Sequence, residues 1–312
     1  MYEEFYGFEQ PPFSLAPDPR FLYLSQSHDE ASRDILQAIR RREGFLVLTG
    51  EIGTGKTTLC RALIGQLDQS TFTSLILDPF VSVEDLLKQM LLDFGVVSRD
   101  ALRSGRLANA TKHELIGTLH EFLLSLVPLK ATSVLIIDEA QNLSPPVLEQ
   151  IRILSNLETD SAKLLQIVLV GQLGLLQALG EPEIKQLNQR VSLRAVLTPL
   201  TRPALEAYVG HRLTVADGGA VVFNNAALDR LHRYSGGVPR VINLLCDRAL
   251  MAGAQAGTTE ITPAIVDRAA RVLDVAPPLR AGRRWPIALL LAVVVVLLVV
   301  AGLAAAGLLP AF

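Results

Sequence analysis

Up to Leu200, short apolar runs rich in β-branched residues alternate with longer stretches whose apolar positions recur every three or four residues. Runs at 45–49, 74–78, 133–137, 166–170 and 193–197 predict strands, because apolar runs this short are filled by a buried strand more readily than by a helix. Strand, helix, strand in that order predicts a parallel sheet covered on both faces. At 145–157 the apolar residues Val147, Leu148, Ile151, Leu154 and Leu157 fall at helical spacing behind two prolines, which predicts a covering helix. Beyond Leu200 the strand pattern stops. Helices are expected at 203–215, 225–234, 239–256 and 263–273, with Gly236, Gly237 and Pro239 breaking the middle pair.

A third pattern closes the sequence. From Trp285 to Leu309 no charged side chain occurs, and these 25 residues would make a helix roughly 37 Å long, enough to cross a hydrocarbon core of about 30 Å. Arg280, Arg283 and Arg284 precede it and no charge follows, which places the N-terminal side in the cytosol. A hydrophobic hairpin buried in a partner is the alternative. Only Pro310, Ala311 and Phe312 follow, so no folded region is expected on the far side. The division expected is therefore 1–200 for an αβα domain, 201–273 for a small all-helical lid, 274–284 for a linker and 285–309 for a single transmembrane helix.

Composition modifies this picture little. The net charge of −2 gives no global electrostatic reason to bind nucleic acid, and the scattered arginines read as solvated surface. Cys60 and Cys246 stand far apart with no His or Cys at ligand spacing, so they read as small buried hydrophobes in a reducing compartment. The five histidines are not spaced as metal ligands either. Residues 1–10 are acidic and aromatic, unlike a cleavable secretory signal, and the body of the protein is expected to stay in the cytosol.

Chemistry enters at Gly50-Glu51-Ile52-Gly53-Thr54-Gly55-Lys56-Thr57, followed by Thr58. This is the P-loop pattern in its required setting, with an apolar strand before it and a helical pattern after it. Glycines let backbone N–H groups curl around phosphate oxygens, Lys56 brings positive charge to the β- and γ-phosphates of ATP, and the Thr57 hydroxyl suits Mg²⁺. The strand at 133–137 ends in Asp138 and Glu139. Asp138 is expected to hold Mg²⁺ through its water shell and Glu139 to orient and deprotonate the attacking water; the alternative is a pair of helix N-cap acids.

These residues, with Gln172 closing the fourth strand, Arg190 before the fifth and Gly236-Gly237-Val238-Pro239-Arg240 in the helical part, resemble the AAA+ ATPases. Closer wording lies in Phe5-Tyr6-Gly7-Phe8, Pro11-Pro12-Phe13, Phe21-Leu22-Tyr23-Leu24-Ser25, Asp138-Glu139-Ala140-Gln141-Asn142-Leu143-Ser144 and Leu154-Ser155-Asn156-Leu157-Glu158-Thr159, which are similar to the ExeA (general secretion pathway protein A) family. The resemblance implies an αβα P-loop NTPase core with a helical lid. It also implies Gln172 as the sensor at the γ-phosphate, Arg240 as the lid arginine reaching the γ-phosphate of its own subunit, and Arg190 as the arginine finger offered to a neighbour, with Arg194 as its rival. Gln172 also reads as plain strand-end polarity and Arg190 as surface charge. Residues Tyr23 and Leu24 lie in the segment that such proteins wrap near the adenine, and His28 is a candidate for the nucleotide entrance.

For the whole protein, the resemblance implies a homo-oligomeric ATPase tethered to the bacterial inner membrane, serving export or polysaccharide-assembly proteins there. In ExeA itself a periplasmic peptidoglycan-binding region lies beyond the membrane helix, whereas here three residues do. Two other readings stand beside it: a nucleotide-dependent DNA-binding regulator of the transposition type, and a nucleotide-gated scaffold with negligible turnover.

Overall fold

Five strands of the expected kind form one parallel sheet. A computed structural model of the chain describes residues 2–16, 18–103, 110–159, 162–181, 185–217 and 221–275, all within one compact unit that ends at Val275. The transmembrane helix expected at 285–309 and the linker from 276 onward lie outside the described residues. Among the described residues no helix is long and apolar enough to cross a membrane.

Strands β1 (Phe45–Gly50), β2 (Thr71–Ile76), β3 (Thr132–Ile137), β4 (Gln166–Gly171) and β5 (Leu193–Leu197) stand in the order β2-β3-β4-β1-β5. All neighbours are parallel, with Leu48 opposite Val170 on one side and Ala195 on the other. Successive side chains of a strand point to opposite faces, and here both faces are apolar. Phe45, Val47, Leu135, Ile137, Ile167 and Leu169 pack with residues of the helices Val83–Asp93, Lys112–Leu126 and Pro145–Leu154. Leu46, Leu48, Val134, Ile136, Val168 and Val170 pack with those of Gln26–Arg40 and Lys56–Gln66. Burial on both faces is why these strands read as continuous apolar runs.

Two boundaries depart from expectation. The pattern predicts β2 at 74–78, but the strand runs from Thr71, paired with Thr132, to Ile76, paired with Ile137. It is an edge strand, so its first residues Thr71, Phe72 and Thr73 are only half-buried and carry little apolar signal; Pro79 restrains Asp78 and cannot donate to a ladder. The helix expected at 145–157 ends at Leu154. Leu157 instead offers its carbonyl to the Leu164 amide at 2.9 Å, turning the chain back toward β4.

The part after Leu200 is not all-helical. Its helices Arg202–Val215, Asn225–Ser235, Pro239–Gln255 and Pro263–Val272 match expectation, but β6 (Val222–Phe223) and β7 (Glu260–Ile261) pair in parallel between them. Each strand is two residues long, too short to show a period. The core of this part also takes in the start of the chain: Tyr2, Tyr6, Phe8, Phe13 and Phe21 are buried with Leu205, Leu231, Ile242, Cys246 and Val266. The Tyr6 hydroxyl donates toward the carbonyls of Leu250 (3.2 Å) and Thr258 (3.1 Å), and that of Tyr2 to Asp247 (2.8 Å). Both cysteines are buried, as their isolation in the sequence suggested.

Candidate active site

The loop after β1 turns on Gly53 (φ +82°) and Gly55 (φ +97°), and Gly55 starts the helix Lys56–Gln66. Left-handed backbone costs little at glycine, and the exposed N–H groups of that helix start suit an anion. Lys56 is buried, and its ammonium donates to the carbonyls of Gly50 (3.1 Å) and Glu51 (3.0 Å). Burial pulls its pKa down, while Glu139 and Asp138 pull it up.

Across the sheet, the Thr57 hydroxyl donates to one oxygen of Asp138, so the two expected metal-binding groups are in direct contact. The other oxygen of Asp138 accepts from the Glu139 amide at 2.9 Å. Glu139 itself has φ +50°, an uncommon conformation for a residue with a Cβ and one that recurs at functional sites. Its carboxylate accepts from Gln141 Nε2 at 2.6 Å, and Gln172 Nε2 lies 3.5 Å from the same oxygen. Gln141 Oε1 in turn accepts from the Gln172 amide at 3.0 Å. That amide can only donate, so the Gln141 carboxamide must present its NH₂ to Glu139.

A cavity of about 390 Å³ opens beside these groups, within the size range of small-molecule sites. The expected residues Ile52, Gly53, Thr54, Gly55, Lys56, Thr57, Thr58, Glu139 and Arg240 all line it, as do His28 and Tyr23. Gly50, Glu51, Asp138 and Gln172 are not part of this lining but are bonded to it, Gly50 and Glu51 through Lys56, Asp138 through Thr57 and Gln172 through Glu139. Leu24 does not line it. Arg190 does not either: its guanidinium donates to Ser155 Oγ at 2.9 Å and to Asn156 Oδ1. Arg194 is exposed and donates to Asn188 Oδ1 at 2.6 Å.

The helical part meets the loop closely at Gly53 and Arg240. The Arg240 amide donates to the Gly53 carbonyl at 3.2 Å, and a Cβ on Gly53 would come within 2.8 Å of the Arg240 Cβ. His28, buried, has Nε2 at 2.9 Å from the Thr54 carbonyl and Nδ1 at 2.7 Å from Ser25 Oγ. A carbonyl only accepts, so Nε2 carries the proton; burial pushes the pKa of the ring down.

Sequence reasoning missed the far wall. Arg212 is buried, against the reading of the arginines as solvated surface, and its charge lies over the rings of Phe21, Tyr208 and Phe13. Nε donates to the Pro12 carbonyl (2.6 Å), Nη2 to that of Ser14 (3.1 Å) and Nη1 to the Tyr208 hydroxyl (2.9 Å). Tyr208 donates to Asn243 Oδ1 at 2.7 Å. Burial raises the Tyr208 pKa, which keeps the phenol protonated. Asn243 follows Arg240 by three residues on one helix face, a spacing that is the one sequence signal pointing to it.

Residues 26–179 match the family model described as an AAA domain. Over that stretch the chain is similar to an AAA domain, and it holds the loop and the two acidic residues in one site. It is a relative of the general secretion pathway protein A of Aeromonas hydrophila, 41% identical over 303 residues. The match takes in 97% of this chain and 53% of that protein, so the chain spans about half the length of that relative. Among solved structures it is similar to the Aeropyrum pernix ORC2 protein in its ADPNP-ADP complexes, with TM-score 0.63 and 15% identity over 85% of this chain and 72% of that one. It is also similar to Cdc6p from Pyrobaculum aerophilum (TM-score 0.61, 18% identity, 84% and 70% covered) and to the Thermotoga maritima RuvB Holliday junction branch migration motor (0.54, 19%, 82% and 74%). At these identities the likeness is one of fold.

Proposed function

We propose that this chain binds and hydrolyses ATP, and that it does so as the membrane-tethered, oligomeric ATPase of a bacterial export or polysaccharide-assembly system. The observation that carries the nucleotide reading is the convergence of Lys56, Thr57 and Glu139 on one cavity, with Asp138 bonded to Thr57 just behind them. Lys56 leaves its two loop carbonyls to meet the β- and γ-phosphates, and the loop N–H groups take the remaining oxygens. Thr57 and Asp138 offer hard oxygen donors side by side, a set that fits Mg²⁺. When bound there, such an ion supplies positive charge against the β- and γ-phosphate oxygens. Glu139, held on one oxygen by Gln141, uses the other to orient the attacking water and accept its proton. Arg240 reads the γ-phosphate from the helical part, and Gln172 supports Glu139.

Kinship with a secretion-pathway protein supports the assignment to an export apparatus, and the apolar run at 285–309 supports the tether. The test is ATP turnover by the full chain in detergent micelles. Lys56→Ala is expected to abolish nucleotide binding, and Glu139→Gln to keep binding while turnover falls by about 10²-fold or more. Tight binding with no turnover in the unaltered protein, alone and with membranes, would replace the enzyme with a nucleotide-gated scaffold.

A further inference from the structure

Asn243 is buried at the cavity wall, and the one side-chain hydrogen bond it makes among the described residues goes to its oxygen. An asparagine carboxamide can usually be turned either way without changing its shape. Here the neighbours leave one choice. A guanidinium has only donors, so the Tyr208 oxygen accepts from Arg212. The Tyr208 proton is then free for Asn243, which must receive it on Oδ1. The amide NH₂ of Asn243 is turned the other way, with two donors and no partner among the described residues. The NH₂ is not sealed off: it keeps access to the cavity, where an acceptor on a bound ligand can take the place of water.

The surroundings say which acceptor. The phosphate end of the cavity is marked by Gly53 through Thr58 and by Arg240, whose amide is tied to the Gly53 carbonyl. Asn243 lies one helical turn beyond Arg240, and the relay of Tyr208 and Arg212 leads away from it to the carbonyls of Pro12 and Ser14. The N-terminal stretch adds Leu15, Phe21, Leu22 and Tyr23 to the lining, apolar or aromatic, with the polar Ser14 and Asp18 among them. A flat heteroaromatic ring with acceptor nitrogens on its edge matches such a wall, and the hydroxyl-studded sugar matches it less well.

We propose that the Asn243 amide donates to a ring nitrogen of the purine base and is a specificity-determining residue of the site, its orientation set by the Arg212–Tyr208 relay. This rests on the reading of the cavity as a nucleotide site. A base that presents an N–H at that edge would face donor against donor and be rejected. Because the relay hangs on Pro12 and Ser14, a seated N-terminal segment is required for the base to be read.

Affinities of the full chain for ATP, for its 1-deaza, 3-deaza and 7-deaza analogues and for 2′-deoxy-ATP, measured by competition against a fluorescent ATP analogue, test this. Asn243→Ala is expected to weaken ATP about tenfold. One deaza analogue should bind the unaltered protein about tenfold more weakly than ATP, yet equal ATP in Asn243→Ala. Asn243→Asp keeps the acceptor for Tyr208 while replacing the donors, and should lose more affinity than Asn243→Ala at an unchanged unfolding temperature. Deaza losses that are the same in both proteins overturn the proposal. So does a 2′-deoxy loss that vanishes in the variant, which would assign the contact to the sugar. If the unaltered protein binds no ATP while remaining folded, the nucleotide reading falls and this inference with it.

Discussion

At the scale of single residues, the site is a set of donors and acceptors whose directions are fixed by neighbours that can act in only one way. The Gln172 amide can only donate, which turns the Gln141 NH₂ toward Glu139. Gln141 therefore holds one oxygen of the proposed base, and a carboxylate released from it would sample several rotamers instead of one. Gln141→Ala is expected to lower kcat about tenfold with KM for ATP and unfolding temperature nearly unchanged, read from steady-state turnover of the full chain. A rise in kcat would mean that the contact restrains Glu139 instead of aiming it. The acids and the P-loop lysine were legible in the sequence because their chemistry requires fixed types at fixed spacing. Gln141 was not, since a glutamine four residues past a strand end is ordinary until its two hydrogen bonds are seen.

At the scale of elements, β1, β3 and β4 were legible because nearly every residue in them is buried. The edge strand β5, with Arg194 and Val196 exposed, was legible from its largely apolar composition instead, whereas the half-buried start of the edge strand β2 and the two-residue pair β6–β7 carried no period to detect. In the sequence the junction between sheet and helical part shows only as the stop of the strand pattern at Leu200, and Gly236, Gly237 and Pro239 only as a break between two helices. Its physical content is a close backbone approach. The Leu200 amide donates to the Gly237 carbonyl at 2.8 Å, and His232 Nε2 donates to the Leu200 carbonyl at 3.2 Å. A Cβ on Gly237 would fall 2.1 Å from that carbonyl oxygen, at a φ of +81° that already disfavours a side chain. Gly237→Ala should cost about 3 kcal/mol or more. Thermal unfolding of the full chain measures it, with Gly236→Ala as the comparison, since a Cβ there meets nothing within 4 Å despite its φ of +59°. Equal losses in the two variants would mean that backbone strain alone, and not the approach of Leu200, decides the cost.

At the scale of the whole molecule, one chain brings together the loop, both acids and Arg240, but not Arg190. The sequence could not settle this, because whether an arginine serves its own site or a neighbour's depends on surfaces that carry no local pattern. Arg190 is half-buried and bound to Ser155 and Asn156 just past the end of the helix Pro145–Leu154. That position suits either a purely structural contact or a cation held ready at the edge of an interface. The two have separable consequences. If Arg190 completes the site of an adjacent copy, Arg190→Ala should leave ATP affinity and unfolding temperature near their original values while turnover falls by about 10³-fold. Turnover of the unaltered chain should also climb steeply with protein concentration. Mixing decides the matter. An Arg190→Ala subunit keeps its own Glu139, and a Glu139→Gln subunit keeps its own Arg190, so a co-assembled pair contains junctions at which both groups are intact. Turnover that reappears in the mixture, although each variant alone is inactive, would mean a site shared between copies. A mixture as inactive as its parts, with a lowered unfolding temperature for Arg190→Ala, would return Arg190 to the role of fastening the chain after that helix and leave each protomer to work alone.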